Sequence, residues 1–377
     1  MSTKSTTKPI LTGSVPAVNV GKAVDMLAMM YVSMIKKNRK MTLLPSVMMW
    51  GPPGVGKSQA VRQIAERIEL NTSVKVNITD VRLLMFNPID LRGIPTANED
   101  KTLAVWLKPQ IFDMDPGKGI INILFLDEIS AAPQSVQAAA YQITLDRTVG
   151  EHKLPDNCIV IAAGNRVTDK SVAYKMPKAL ANRLLHLEIE TSYDAWRNWA
   201  VRSGINEKVT AFLAFKPDYL MKFDSLKDDI AFPTPRAWEM VSALLNNISD
   251  SIEDMYTLIA GIIGTGSAVE FRTWSRVFEQ LPDIEMIFDG KRPRAPKRPD
   301  ALYALISSMA RYAYEHRTEL DRIANSIAYA DTLPPDFSTV LMQDYMNISD
   351  DFRSELMKIP EFVKWLRTKG RLLNGFD

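Results

Sequence analysis

The segment Gly51-Pro52-Pro53-Gly54-Val55-Gly56-Lys57-Ser58 constrains this chain more than any other, because it satisfies G-x-x-x-x-G-K-[ST] at every defined position. An apolar run, Val47 to Trp50, precedes it, and a helical pattern follows with Val61, Ile64, Ala65 and Ile68 on one face. A strand, a glycine-rich turn and a helix N-terminus in that order make a cradle of backbone N–H groups for phosphate. Lys57 is then expected to reach the terminal phosphates and the Ser58 hydroxyl to ligate Mg²⁺. Gly51, Pro52, Pro53, Gly54, Val55, Gly56, Lys57, Ser58 and the adjoining Gln59 are the candidate nucleotide-binding residues.

Two further apolar runs end in polar residues of the expected kind. Ile123-Leu124-Phe125-Leu126 leads into Asp127-Glu128. A buried strand tolerates such charges only at its carboxyl end, where open α/β sheets bind ligands. Asp127 is the candidate second metal-associated residue beside Ser58, and Glu128 the candidate base for an attacking water. The alternative for this pair is an acidic turn capping the next helix. Cys158-Ile159-Val160-Ile161-Ala162-Ala163 ends in Gly164-Asn165, and the uncharged Asn165 amide can donate to a terminal phosphate or hold the water.

The pattern from Ser46 to about Ile189 alternates apolar runs with helical periodicity, which predicts an α/β domain on a mostly parallel sheet of five strands. Those strands are 47–50, 74–78, 120–126, 158–163 and 185–189. Between Thr79 and Trp106 the turn-rich Asn87-Pro88-Ile89-Asp90-Leu91-Arg92-Gly93-Ile94-Pro95 marks an insertion rather than a crossover helix. After Thr191 helical patterns take over at 195–202, 236–245, 252–263 and 301–315. The division read from the sequence is a flexible leader at 1–20, a core at 21–191, an all-helical domain at 192–331 and a helical extension at 332–377.

Charge narrows the partners. The 46 Lys and Arg nearly balance the 44 Asp and Glu, so no global field calls for nucleic acid or an anionic membrane. No apolar run reaches the ~18 to 20 residues of a membrane span. Cys158, the single cysteine, excludes an internal disulfide and reads as a buried reduced thiol, which fits a cytoplasmic location. The basic stretch Lys36-Lys37-Asn38-Arg39-Lys40 reads as the solvated end of a helix, or alternatively a nucleic-acid patch. The run 290–299, dense in Lys, Arg and Pro, is either a solvated connector or a docking strip for an acidic partner or nucleic acid.

Phosphate loop, Asp127-Glu128 strand and Asn165 strand, in this order, resemble the AAA+ ATPases, and within them the MoxR-type branch related to dynein and midasin modules. The resemblance is carried also by Asn87-Pro88-Ile89-Asp90-Leu91-Arg92-Gly93, by Ala179-Leu180-Ala181-Asn182-Arg183-Leu184 and by Pro233-Thr234-Pro235-Arg236-Ala237-Trp238. It implies ATP and Mg²⁺ as ligands and a ring of identical subunits, commonly hexameric. It further implies a protein client to be remodelled, and often a partner with a von Willebrand factor A domain. Arg183 matches the arginine finger offered to the neighbouring subunit, and Arg236 the sensor 2 arginine of the helical lid. Family members commonly have Asn-Arg-Phe where this chain has Asn182-Arg183-Leu184. The insertion matches a hairpin facing the ring's pore, with Phe86 and Trp106 either touching client or packing under the hairpin, and 150–156 matches a second hairpin ahead of the Asn165 strand. A nucleic-acid motor and a nucleotide-gated scaffold with little hydrolysis are the competing functions. The first lacks a recognisable nucleic-acid-binding appendage, and the second would be signalled by a damaged Glu128 or Arg183, both of which are present.

Overall fold

The computed structural model describes residues 15–166, 176, 178–223, 229–248 and 251–375. Chain contacts divide it into two compact units, the first ending at Thr191 and the second beginning at Ser192.

The first unit opens with a short strand, β1 (Ala17–Asn19), and helix α1 (Val20–Lys36), whose first turn is capped by the Asn19 side chain accepting from Lys22 N–H at 2.8 Å. There follow β2 (Val47–Trp50), α2 (Lys57–Thr72), β3 (Lys75–Arg82), α3 (Pro88–Arg92), β4 (Ile94–Ala97), β5 (Ala104–Leu107), β6 (Ile120–Asp127) and α4 (Gln134–Asp146). The unit closes with β7 (Thr148–Val149), β8 (His152–Lys153), β9 (Cys158–Gly164), α5 (Lys178–Ala181) and β10 (Leu185–Glu190).

Six strands, not the five expected, form one all-parallel sheet in the order β1-β10-β2-β9-β6-β3. The extra member is β1, which falls inside the segment read as a flexible leader; residues 1–14 of that leader lie outside the described residues. Three residues carry no readable periodicity, and they become a strand because Ala17, Val18 and Asn19 pair with Glu188, Ile189 and Glu190 along the open edge of β10. The central strands β6 and β9 are buried almost throughout, so they read as continuous apolar runs rather than alternating ones. Helices α1 and α2 cover one face through Ala23, Val24, Leu27, Ile64 and Ile68, and α4 covers the other through Val136, Ala140 and Ile143. Each Val, Leu or Ile among them contributes about 1.5 to 3 kcal/mol by leaving water.

The insertion ahead of β6 is α3 followed by the antiparallel hairpin β4–β5. The Asn87 and Asp90 side chains close a capping box over α3, and Gly93 at φ +91° turns the chain from the helix into the hairpin. A Cβ at Gly93 would lie 2.0 Å from the Leu107 carbonyl oxygen, so only glycine fits. Strands β7 and β8 form the second hairpin, and His152 Nε2 donates to the Trp106 carbonyl at 2.7 Å, tying the two hairpins together. Phe86 is half-buried against the cluster that contains Leu126 and Ala162, and Trp106, on the hairpin, is half-buried as well.

The second unit contains no strand among the described residues. Its helices are α6 (Tyr193–Arg202), α7 (Glu207–Phe215), α8 (Pro235–Asn247), α9 (Tyr256–Ile263), α10 (Thr265–Ser275), α11 (Ile284–Phe288), α12 (Pro299–Glu315) and α13 (Leu320–Ala330). The chain ends in α14 (Pro335–Asn347), α15 (Asp350–Leu356) and α16 (Pro360–Lys369). Phe212 centres one core, with ring centroids 5.3 to 5.5 Å from Tyr219, Trp238, Phe271 and Trp274. A second core joins Leu305, Met309 and Ile327 to Tyr345, Phe352, Phe362 and Trp365. The helices after residue 331 therefore share one apolar core with α12 and α13 and form no separate body.

Candidate functional site

Three strand ends make the site. Strand β2 runs out at Trp50 into the phosphate loop, and Gly51 N–H donates to the Gly164 carbonyl at the end of neighbouring β9. Gly56, at φ +105°, sits at the N-cap of α2 in a left-handed conformation that a side chain would strain. Val55 is buried beneath the loop, and Ala60 N–H donates to the Gly56 carbonyl as the first turn of α2 closes. The loop thereby delivers backbone N–H groups and a helix N-terminus to one place.

Lys57 is 9% exposed, and its ammonium donates to the Gly51 carbonyl at 2.6 Å, the Pro52 carbonyl at 3.0 Å and Asn165 Oδ1 at 3.0 Å. Ser58 Oγ donates to Asp127 Oδ2 at 2.9 Å. The other carboxylate oxygen, Asp127 Oδ1, accepts the backbone N–H of Glu128 at 2.9 Å. Asn165 is held in turn by its own N–H, which donates to Ser130 Oγ at 2.9 Å. Lys57, Ser58, Asp127 and Asn165 thus form one connected group although they come from three separate segments. A hydroxyl and a carboxylate in contact are hard oxygen donors of the kind Mg²⁺ prefers, and a buried ammonium beside a backbone cradle suits a polyphosphate, so these residues fit both groups.

Glu128 lies beside this group, exposed, in the left-handed region at φ +59°. Left-handed backbone at a bulky side chain is unfavourable and concentrates at functional turns. Its backbone is pinned by the bond to Asp127 while its carboxylate has no partner among the described residues.

Asp80, on β3 next to β6, was not among the expected site residues; it lies opposite Phe125, two residues before Asp127. Partial burial and the charge of Asp127 push its carboxyl above the usual carboxylate range, with Arg82 and Arg62 pulling the other way. Its signal was an acid near the carboxyl end of a parallel strand, the rule that found Asp127.

Arg183 is not part of the connected group. It is exposed in the turn between α5 and β10, with no hydrogen-bond or ion-pair partner among the described residues. Arg236, in the second unit, is the second residue of α8 and also exposed. The Thr234 side chain caps that helix by accepting from Ala237 N–H at 3.0 Å, with Pro235 at the first position, so the local sequence fixes where Arg236 leaves the helix.

Residues 46–186 match the ATPase family associated with various cellular activities (AAA). The chaperone MoxR1 of Mycobacterium tuberculosis is 28% identical over 143 residues, which are 37% of this chain and 34% of that protein. Over this stretch the chain is similar to MoxR-type AAA+ modules. The matched stretch of the AAA+ module covers about a third of the curated relative's length. Among solved structures, C. elegans PCH-2 is similar at 14% identity and a TM-score of 0.35, covering 70% of each chain. A mutant of Thermotoga maritima RuvB is similar at 14% identity and a TM-score of 0.34, covering 77% of this chain and 84% of that one. All four members of the connected group lie within the AAA+ module, and so does Arg183. Among the described residues no helix is long and apolar enough to cross a membrane.

Proposed function

We propose that this chain hydrolyses Mg²⁺-ATP as one subunit of a ring, commonly hexameric in this family, and uses the cycle to remodel a protein client in the cytoplasm. The observation that carries the reading is the convergence of Lys57, Ser58, Asp127 and Asn165 through hydrogen bonds of 2.9 to 3.0 Å at the carboxyl ends of three parallel strands. Binding of a nucleotide alone would not need an exposed carboxylate beside that group, and Glu128 supplies one that has no partner among the described residues.

In this reading the loop Gly51–Ser58, with Gln59 beside it, holds the phosphates, and Ser58 and Asp127 hold the metal. Bound Mg²⁺ supplies charge neutralisation on the phosphate oxygens. Lys57 turns from its loop carbonyls to the phosphates, Asn165 orients the water, and Glu128 takes the water's proton as the oxygen bonds to the terminal phosphorus and the bridging P–O bond breaks. Arg183 acts on the neighbouring subunit's site, and Arg236 couples the helical unit to the nucleotide. The exposure of both guanidinium groups supports roles outside their own local packing. The name of the Mycobacterium relative, a chaperone, supports a protein client, and a von Willebrand factor A-domain protein is the partner class the MoxR resemblance suggests.

The test is the ATPase rate against protein concentration for wild type, Glu128→Gln and Arg183→Ala, with solution mass recorded on the same samples in ATP. A rate per subunit that rises with assembly and falls sharply in both variants while ATP binding survives supports the reading. A concentration-independent rate from a monomer, indifferent to Arg183→Ala, would sink the ring mechanism.

A further inference from the structure

We infer that His186 is a positioning residue for Arg183, locking the turn that presents this arginine onto the end of the strand that carries the phosphate loop. The inference rests on the reading of Arg183 as the group offered to a neighbouring subunit.

The geometry is a three-part link through one imidazole. Trp50, the last residue of β2, donates its indole Nε1–H to His186 Nδ1 at 2.9 Å, with the two ring planes 11° apart. The opposite ring nitrogen, His186 Nε2, is 2.7 Å from the Ala181 carbonyl oxygen. An indole N–H can only donate and a carbonyl can only accept, so the two partners together fix a neutral imidazole with its proton on Nε2. No rotation of the ring satisfies both in another way.

The Ala181 carbonyl is the anchor of the turn itself. It accepts Leu184 N–H at 3.2 Å, closing Ala181-Asn182-Arg183-Leu184 into a four-residue turn with Arg183 at its third position. The imidazole therefore holds the same oxygen that closes the turn. Ala181 and Leu184 add half-buried apolar contacts against the cluster that contains Met48, Leu126 and Ala162, where Trp50 also packs. Arg183 alone of the turn's side chains has a long reach, and it is exposed. A long side chain is directed only as well as its backbone is held, and misplacement by about 1 Å can cost on the order of 10²-fold in rate.

Trp50 is directly followed by Gly51, the first residue of the phosphate loop. The link thus joins the entry of one subunit's own nucleotide loop to the turn bearing the arginine meant for its neighbour. Pairing of β2 with β10 places His186 opposite Met48, and sheet formation would be served there by any β-branched residue. An imidazole with both nitrogens engaged serves the turn.

The test compares full-length His186→Phe, which keeps a ring but loses both bonds, with His186→Gln, whose amide can accept from Trp50 and donate to Ala181. Thermal melting and binding of a fluorescent ATP analogue establish that each variant is folded with its own loop intact. The expected result for His186→Phe is a fall in kcat of about ten- to a hundred-fold with KM within about two-fold of wild type, and substantial recovery in His186→Gln. Mixed with excess Glu128→Gln protein, which cannot turn over but carries an intact Arg183, His186→Phe subunits should regain turnover, as Arg183→Ala subunits should. If Arg183→Ala is slow and rescued by mixing while His186→Phe is unaffected, or is slow and not rescued, the positioning role falls and the arginine reading stands. If Arg183→Ala itself turns over at the wild-type rate, both fall together.

Discussion

Lys57 Nζ lies 3.0 Å from Asn165 Oδ1, although the two residues are 108 positions apart in the chain. The neutral amide accepts from the ammonium without bringing a negative charge of its own to the lysine. A carboxylate at that place would form an ion pair and compete with the phosphate for the same charge. Asn165→Asp is therefore expected to weaken ATP binding by about ten-fold, the equivalent of about 1.4 kcal/mol. Asn165→Ala should bind ATP nearly as wild type and lose mainly turnover. Titration calorimetry on the two variants decides it, and an Asp variant that binds as tightly as wild type would contradict the argument.

Ser58 Oγ and Asp127 Oδ2, in contact at 2.9 Å, belong to segments that only the pairing of β2, β9 and β6 brings together. Removing either oxygen leaves the phosphate loop intact and takes a hard ligand from the metal. Ser58→Ala and Asp127→Asn should raise the Mg²⁺ concentration needed for half-maximal ATPase rate several-fold, roughly 1 kcal/mol or more in metal affinity. Binding of ATP in EDTA should be little changed. Activity of wild type that survives full chelation of divalent ions would refute the metal assignment.

In the helical unit Arg197 and Asp344 form a buried two-point pair, Nε to Oδ1 at 2.9 Å and Nη2 to Oδ2 at 2.6 Å, with Tyr193 accepting from Nη1 at 2.7 Å. The pair joins α6 to α14, so it fastens the C-terminal helices to the start of the unit. Arg197→Met leaves a carboxylate buried without its partner and should cost about 3 to 5 kcal/mol. Arg197→Met combined with Asp344→Leu should recover most of that, because the uncompensated charge is gone. Urea unfolding of the two singles and the double checks this, and strict additivity of the losses would show that the two charges do not act as a pair.

Burial pushes the Cys158 thiol up to about 12, with Arg147 and a backbone hydrogen bond from Leu124 pulling weakly against it. The unfolded thiol ionises near 8.5. The folded state therefore holds a proton that the unfolded state releases, and this contribution to stability, present below about 8.5, is lost as pH rises from there toward about 12. At pH 8 the native thiol should resist iodoacetamide and react at the rate of a free cysteine only in denaturant. Fast labelling of the native protein, followed by mass spectrometry, would show that the thiol is not held in the core.

Much of this molecule is written in short stretches of its sequence. The phosphate loop is contiguous, its glycine and its lysine work within eight residues, and the strand and helix around it are fixed by local apolar patterning. Asp127 and Asn165 were legible for the same reason, since polar residues at the end of a buried strand can only lie where the sheet opens. Tertiary structure alone decided which strand ends meet. It made Ala17–Asn19 a sixth strand, because an unpaired edge on β10 accepts whatever backbone reaches it. It paired β4 with β5 although neither strand shows a buried alternation, and it set Asp80 beside Asp127. It also turned His186, which in the sequence is an isolated histidine, into the link between Trp50 and Ala181. Local patterns report which face of an element leaves water; they carry no record of the neighbour it meets, because that choice is made by burial and pairing between residues far apart in the chain.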